Sequence, residues 1–292
     1  MKNSISIVIA FILIACQNGS EKLTTLYKLP KKLKEVSGIV YAEKDNLYWI
    51  LEDSGNANKI YGLNAKNGKI ERTITIENAR NVDWEEITKD KAGNLYIGDF
   101  GNNGNDRKDL CIYKIDKKSL HQKKANSAYK ISFSYPEQKE FPPNEMGLFF
   151  DLEAFFEYNN NFYLFTKNRS KEFNGTALVY RIPNKAGFHQ AVLLGKIKMG
   201  ESNDHSKITG AAISPDASKV VLLAQEKIVL LENFKGDDFL KGKRSQLKLG
   251  DFSQKEAVCF KNNETLIIAD EKTVITGGKV YQVTLSKLKS VP

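Results

Sequence analysis

The chain has 292 residues, 41% hydrophobic and 27% charged, with 44 Lys and Arg against 35 Asp and Glu for a net charge of +9. This is globular composition, which excludes a disordered chain, and the length allows a large core. Sixteen Phe and twelve Tyr against three Met favour strands over helices.

Met1-Lys2-Asn3 is a short basic start, and Ile5 to Ile14 is almost wholly apolar. About 10 apolar residues are too few to cross a hydrocarbon core of ~30 Å as a helix, but they suit the core of a signal peptide. Leu13-Ile14-Ala15-Cys16, followed by polar Gln17-Asn18-Gly19-Ser20, resembles the bacterial lipobox. Residues 1–15 are therefore read as a lipoprotein signal peptide. Residues 16–22 are read as a lipidated Cys16 with its tether, and 23–292 as one domain. This reading implies attachment to a membrane of the bacterial cell envelope, with Gln17 favouring the outer over the inner one. Two or three acyl chains hold a protein on a bilayer where one does not. An exported lipoprotein is not expected to bind nucleic acid. Its lysine runs fall between strand patterns, as solvated loops or as a surface attracted to anionic headgroups.

From residue 37 onward one plan recurs: a short apolar strand, a turn, a stronger strand with aromatics, a polar loop, and a third strand. It begins at Ser37, Glu85, Glu153, Thr209 and Glu256. The spacing is close to that of one four-stranded propeller blade, ~50 residues. More polar fourth strands follow, most clearly Glu71–Ile76 and Tyr129–Phe133. The fifth unit has no fourth strand before the chain ends. Leu23–Leu29 precedes the first unit, where it would complete the fifth and close the ring without an open edge. The expected fold is all-β, a five-bladed β-propeller closed by an N-terminal strand and monomeric. Six blades is the alternative, because 116–150 and 183–207 leave room for a degenerate unit. Cys111 and Cys259 lie in strand patterns and are read as buried free thiols rather than a disulfide.

In such a ring the start of each innermost strand and the end of the second strand meet at one mouth. The ends would be Asp53, Asp99, Lys167, Gln225 and Asp270, and Asp83 and Asp151 stand two residues before their ring members. Asp53, Asp83, Glu85, Asp99, Asp151, Glu153, Glu256 and Asp270 thus become candidate metal ligands. Carboxylates this close repel. A divalent cation, with calcium suited to oxygen ligands, protonated carboxyls acting as general acids, or a wide hydrated mouth would each relieve the repulsion. Glu85, Glu153 and Glu256 are the candidate catalytic groups. Arg107, Lys167, Arg169 and His205 are candidate ligand-binding residues, the cations suited to carboxylate or phosphate. Asp53-Ser54-Gly55-Asn56 and Asp99-Phe100-Gly101-Asn102 share one turn pattern. The second is not an EF-hand, since Gly101 replaces a ligand and no Glu closes it. No Gly-x-Ser-x-Gly, Walker or His-Glu-x-x-His motif is present.

Asp83-Trp84-Glu85-Glu86-Ile87, then Gly98 to Asn103 and Arg107, resembles a group of uncharacterised exported bacterial propellers. Ser37-Gly38-Ile39 with Glu52 to Asn56 matches the first blade of that group. More remotely the chain is similar to the NHL, SdiA-regulated and esterase-like phytase propellers, some of which bind calcium in the channel or hydrolyse esters and lactones. The resemblance carries Asp53, Glu85, Asp99, Glu153 and Glu256 as site residues. Thr209 and Gln225 depart from it. A lipid-anchored propeller binding a polar small molecule or protein partner at an acidic, calcium-loaded mouth is the leading expectation. A metal-dependent hydrolase of phosphoesters, esters or lactones is the alternative.

Overall fold

A computed structural model describes residues 23–200, 204–250 and 252–291. They form five sheets, antiparallel within each blade, and no α-helix. Blade 1 runs through Val36–Ala42, Leu47–Glu52, Lys59–Asn64 and Ile70–Ile76. Blade 2 comprises Trp84–Lys89, Leu95–Asp99, Cys111–Ile115 and Tyr129–Ser134. Blade 3 comprises Asp151–Tyr158, Asn161–Lys167, Thr176–Pro183 and Val192–Lys198. Blade 4 comprises Gly210–Ile213, Lys219–Leu223, Lys227–Glu232 and Lys243–Lys248. Blade 5 comprises Lys255–Phe260, Thr265–Asp270 and Lys279–Thr284. Its outer strand is Thr24–Lys28, paired antiparallel to Lys279–Thr284. The inner strands adjoin in the order 1–2–3–4–5–1, so the ring closes as expected.

The two long connectors hold no sixth blade. Lys124–Ala125 pairs in parallel with the outer strand of blade 1, and Gly187–Gln190 with that of blade 2. Each reaches back from the following blade and covers an outer edge that would otherwise leave main-chain groups unpaired.

Burial on both faces explains the continuous apolar runs. Side chains alternate across a strand, so a middle strand serves two neighbours. Leu95 and Ile97 pack with Trp49 and Leu51 of blade 1, while Tyr96 packs with Phe155 and Phe162 of blade 3. Five buried clusters result, one at each blade interface. The interface between blades 5 and 1 holds Leu29 and Leu33 together with Cys259 and Ile39. Cys111 and Cys259 are buried and free.

Candidate functional site

Four of the five inner strands carry a β-bulge at the same place. The register slips at Ser37, Glu85, Glu153 and Glu256, where the repeat begins. A bulge re-aims a side chain out of the strand's alternation. Where that residue has a hydroxyl, it ties neighbouring inner strands together. Ser37 Oγ donates to Trp84 O at 2.7 Å, and Thr209 Oγ1, just before the blade 4 strand, donates to Lys255 O at 2.6 Å. In the other three blades it is a glutamate.

Asp53, Asp83 and Glu85 each place a carboxylate oxygen within 4.8 Å of the other two. Gly101 makes this approach possible, because a Cβ there would collide with Glu85 Oε1 and the Asp83 carboxylate. Asp83 O in turn accepts the N–H groups of Phe100 and Gly101 at 3.2 and 3.1 Å. Asp83 is 8% exposed, and its Oδ1 is buried without a hydrogen-bond partner. Burial, then Asp53, pushes the Asp83 carboxyl up to about 7. Burial and the charge of Glu153 hold Glu85 well above the usual range.

The blade 3 side is neutralised. Lys167 Nζ lies 3.0 Å and Arg169 Nη2 3.1 Å from Glu153 Oε1, and Arg169 also pairs with Asp151. Asp151 accepts the N–H of Asn102 at 2.7 Å, linking the blade 2 loop to blade 3. Burial still keeps Glu153 well above its ordinary range, although Lys167 opposes it. Glu256 is pushed up to about 7 by burial, again against Lys167. Glu271, which the sequence reading did not select, reaches about 7 through burial and the charge of Glu256. The mouth is therefore two-sided, with an uncompensated triad at blades 1 and 2 and a paired cluster at blade 3.

Two expected ring members turn away. Asp99 accepts Asp83 N at 3.1 Å and pairs with Arg107 at 3.1 Å. Asp270 accepts Lys279 N and the Tyr281 hydroxyl, both at 2.7 Å. In blade 1 the matching position is Glu52, which accepts Lys34 N at 3.0 Å, and Asp53 lies one residue beyond it. Acids at these second-strand ends hold main-chain donors of adjoining segments rather than facing the mouth. Arg107 is spent on Asp99, on Asp109 at 3.0 Å and on Gly101 O at 2.8 Å. His205 is exposed, bonded to Gln225 Oε1 at 3.1 Å with its ring against Phe252. Cys16 lies outside the described residues.

Glu86 was also not selected, yet it stands in the channel. The residues following the bulges, with Gly210 at the matching place in blade 4, are Gly38, Glu86, Ala154, Gly210 and Ala257. Four small residues leave room for one long side chain. Glu86 is 1% exposed, and its Oε1 accepts Ile87 N at 3.0 Å. Burial holds its carboxyl well above the ordinary range, opposed by the N–H groups of Ile87, Ala211 and Ile39. A set of small residues at four equivalent repeat positions was the sequence signal for this plug. A Cβ on Gly38 would sit 2.6 Å from Ile87 N and 2.8 Å from Glu86 Oε1. Backbone rather than a flexible tip is in the way, so Gly38→Ala is expected to destabilise the protein by about 2–3 kcal/mol. Thermal melts would read this as a loss of roughly 6 °C.

No known family model matches the chain, and no curated protein matches it. Solved structures similar to it include a chain of a nidogen/laminin complex, at 14% identity and a TM-score of 0.49, covering 89% of this chain and 79% of that one. Another is the PQQ-bound form of aldose sugar dehydrogenase from Streptomyces coelicolor, at 9% identity and a TM-score of 0.51, covering 90% and 97%. The likeness to the second of these, at so low an identity, is one of fold alone.

Proposed function

We propose that this chain is a lipid-anchored propeller of the bacterial envelope that binds a polar ligand at a mouth loaded with a divalent cation, calcium being the best match. The observation that carries this reading is the buried, unpartnered Asp83 Oδ1 beside Asp53 and Glu85. A buried oxygen without a donor costs roughly 1–3 kcal/mol, and a cation would satisfy it. The donor set is all oxygen, which fits a hard cation. Asp53, Asp83 and Glu85 would hold it, and it would supply a positive centre for a ligand's hydroxyl, carboxylate or phosphate oxygens.

Calorimetric titration of calcium into metal-free protein tests the site. One binding event is expected, weakened at least tenfold in Asp83→Asn. Absence of binding at millimolar calcium, or equal binding by the variant, would overturn it. Intact-mass analysis for acyl chains on Cys16 tests the anchor.

A second reading, a metal-dependent hydrolase of phosphoesters, esters or lactones, draws on Lys167 and Arg169. Both pair with Glu153, and Arg169 also acts on Glu85 of the triad, so a bound cation and a guanidinium together would grip an anionic ester. A substrate panel with and without chelator separates the two readings. Turnover lost in a folded Glu153→Gln variant favours the hydrolase, and no turnover across the panel favours the binding module.

A further inference from the structure

On the face opposite the acidic mouth the central channel opens as a second cavity of about 390 Å3. That is within the usual range of small-molecule sites. Its deep wall is aliphatic, built by Ile39, Ile87, Ala211 and Val258 from four inner strands. Glu86, wedged beside Gly38 and Gly210, stands between this cavity and the mouth. The rim carries Lys44, Lys89, Lys91 and Lys117 against an equal number of carboxylates, Glu43, Asp45, Asp90 and Glu157. Charge at the rim therefore favours neither an anion nor a cation, and the aliphatic wall behind it suits an uncharged alkyl chain.

The path of the N-terminus brings such a chain within reach. Thr24 pairs with Gln282 and Lys28 with Lys279, whose N–H donates to Asp270 at the mouth end of its strand. The closing strand thus climbs towards the mouth, and the chain before it enters from the cavity side. Leu23 is buried in the same cluster as Ala212, Val258 and Phe260, which line the cavity between blades 4 and 5. The outer strand of blade 5 stands three strand spacings from the inner one, roughly 14 Å. Residues 16–22 number seven and span up to about 25 Å when extended. Cys16 can therefore reach the rim.

We propose that one acyl chain carried by Cys16 occupies this cavity, lying among Ile39, Ile87, Ala211 and Val258. An alkyl chain is removed from water in the bilayer and in the shaft alike, and a short tether holds it near the rim at a roughly millimolar effective concentration. A chain held there keeps the cavity face towards the membrane and turns the acidic mouth to solvent. The proposal rests on acylation of Cys16, which intact-mass analysis reports separately from the measurements below.

Cys111 and Cys259 are buried, so decyl methanethiosulfonate attaches a ten-carbon chain to Cys16 of the unacylated chain 16–292. Before attachment, calorimetry with hexanol, octanol and decanol should show one site, tightening about fourfold with each methylene. Attachment should weaken decanol binding at least tenfold and raise the melting temperature, and reductant should reverse both. With Gln17–Glu21 deleted the tether spans only about 7 Å, and attachment should leave decanol binding unchanged. Ala42→Trp, a half-exposed rim substitution checked for an unchanged melt, should block decanol in the unmodified chain. No decanol binding to the unmodified chain, undiminished binding after attachment or to folded Ala42→Trp, or an equal loss with the short tether would overturn the proposal. An intact mass without acyl groups would also overturn it, by removing the occupant while the cavity still binds decanol.

Discussion

Removal of residues 23–29 is expected to abolish the cooperative thermal transition and leave the protein aggregated. Thr24–Lys28 is the outer strand of the last blade, so its loss exposes the unpaired edge of Lys279–Thr284. Leu23 and Leu29 belong to the clusters on either side of blade 5, and each contributes about 1.5–3 kcal/mol when fully buried. The Tyr27 ring packs against Gly68 in a turn of blade 1, so the same strand joins last blade to first. Main-chain bonds at about 1 kcal/mol each add to this. The sum approaches the whole stability of an ordinary domain, 5–15 kcal/mol. Circular dichroism melts and gel filtration provide the check. A truncated protein that stays monomeric and melts within a few degrees of the full chain would show that the ring does not depend on this closure.

Metal-free protein is expected to lose stability as pH rises from 5 to 8, and calcium at the proposed site to restore it mainly at the upper end. Asp83, Glu256 and Glu271 are each raised to about 7 in the folded protein. An acid whose folded value is raised binds its proton more tightly in the native state than in the unfolded chain. Its contribution is therefore complete below the unfolded value near 4 and is lost as pH climbs through 7. All three lie near the mouth and are partly screened by water, so a combined loss of roughly 2 kcal/mol is the reasonable scale. At the proposed site calcium would bind the ionised form, so its stabilisation should grow with pH and reach about 2.7 kcal/mol at a hundredfold excess over Kd. Melts at pH 5 and 8, with calcium or chelator, measure both effects. Asp83→Asn should flatten the pH slope and remove the calcium response. A melting temperature that rises with pH in chelator, or a calcium shift larger at pH 5, would contradict the electrostatic account.

The blades were legible because each element is short and local. Leu47-Tyr48-Trp49-Ile50-Leu51 reads as a strand buried on both faces without knowledge of its neighbours, and Gly93-Asn94 reads as a turn. The closing strand was legible from a count: a fifth unit one strand short and a spare strand upstream. The candidate triad was partly legible for the same reason, since Asp53, Asp83 and Glu85 occupy recurring positions. Asp99 and Asp270 recur equally well but turn to main-chain donors, and nothing in their spacing distinguishes a carboxylate facing the mouth from one folded into its own blade. Glu86 differs from Glu85 by one position, yet one lies at the rim and the other in the shaft. A bulge decides this, and bulges have no periodic signature.

By itself the sequence determined the all-β class, a propeller of five recognisable units with six blades as the alternative, the way the ring closes and the concentration of acids at one end of each repeat. These follow from alternation, turn residues and repeat length, which act within a few residues of chain. Only the tertiary structure decided which acids meet, which are neutralised by Lys167 and Arg169, and that a second cavity, lined by both lysines and carboxylates, opens on the far face. Those outcomes depend on side-chain direction across blade interfaces, where residues distant in sequence share one low-dielectric space, and no local pattern encodes that direction.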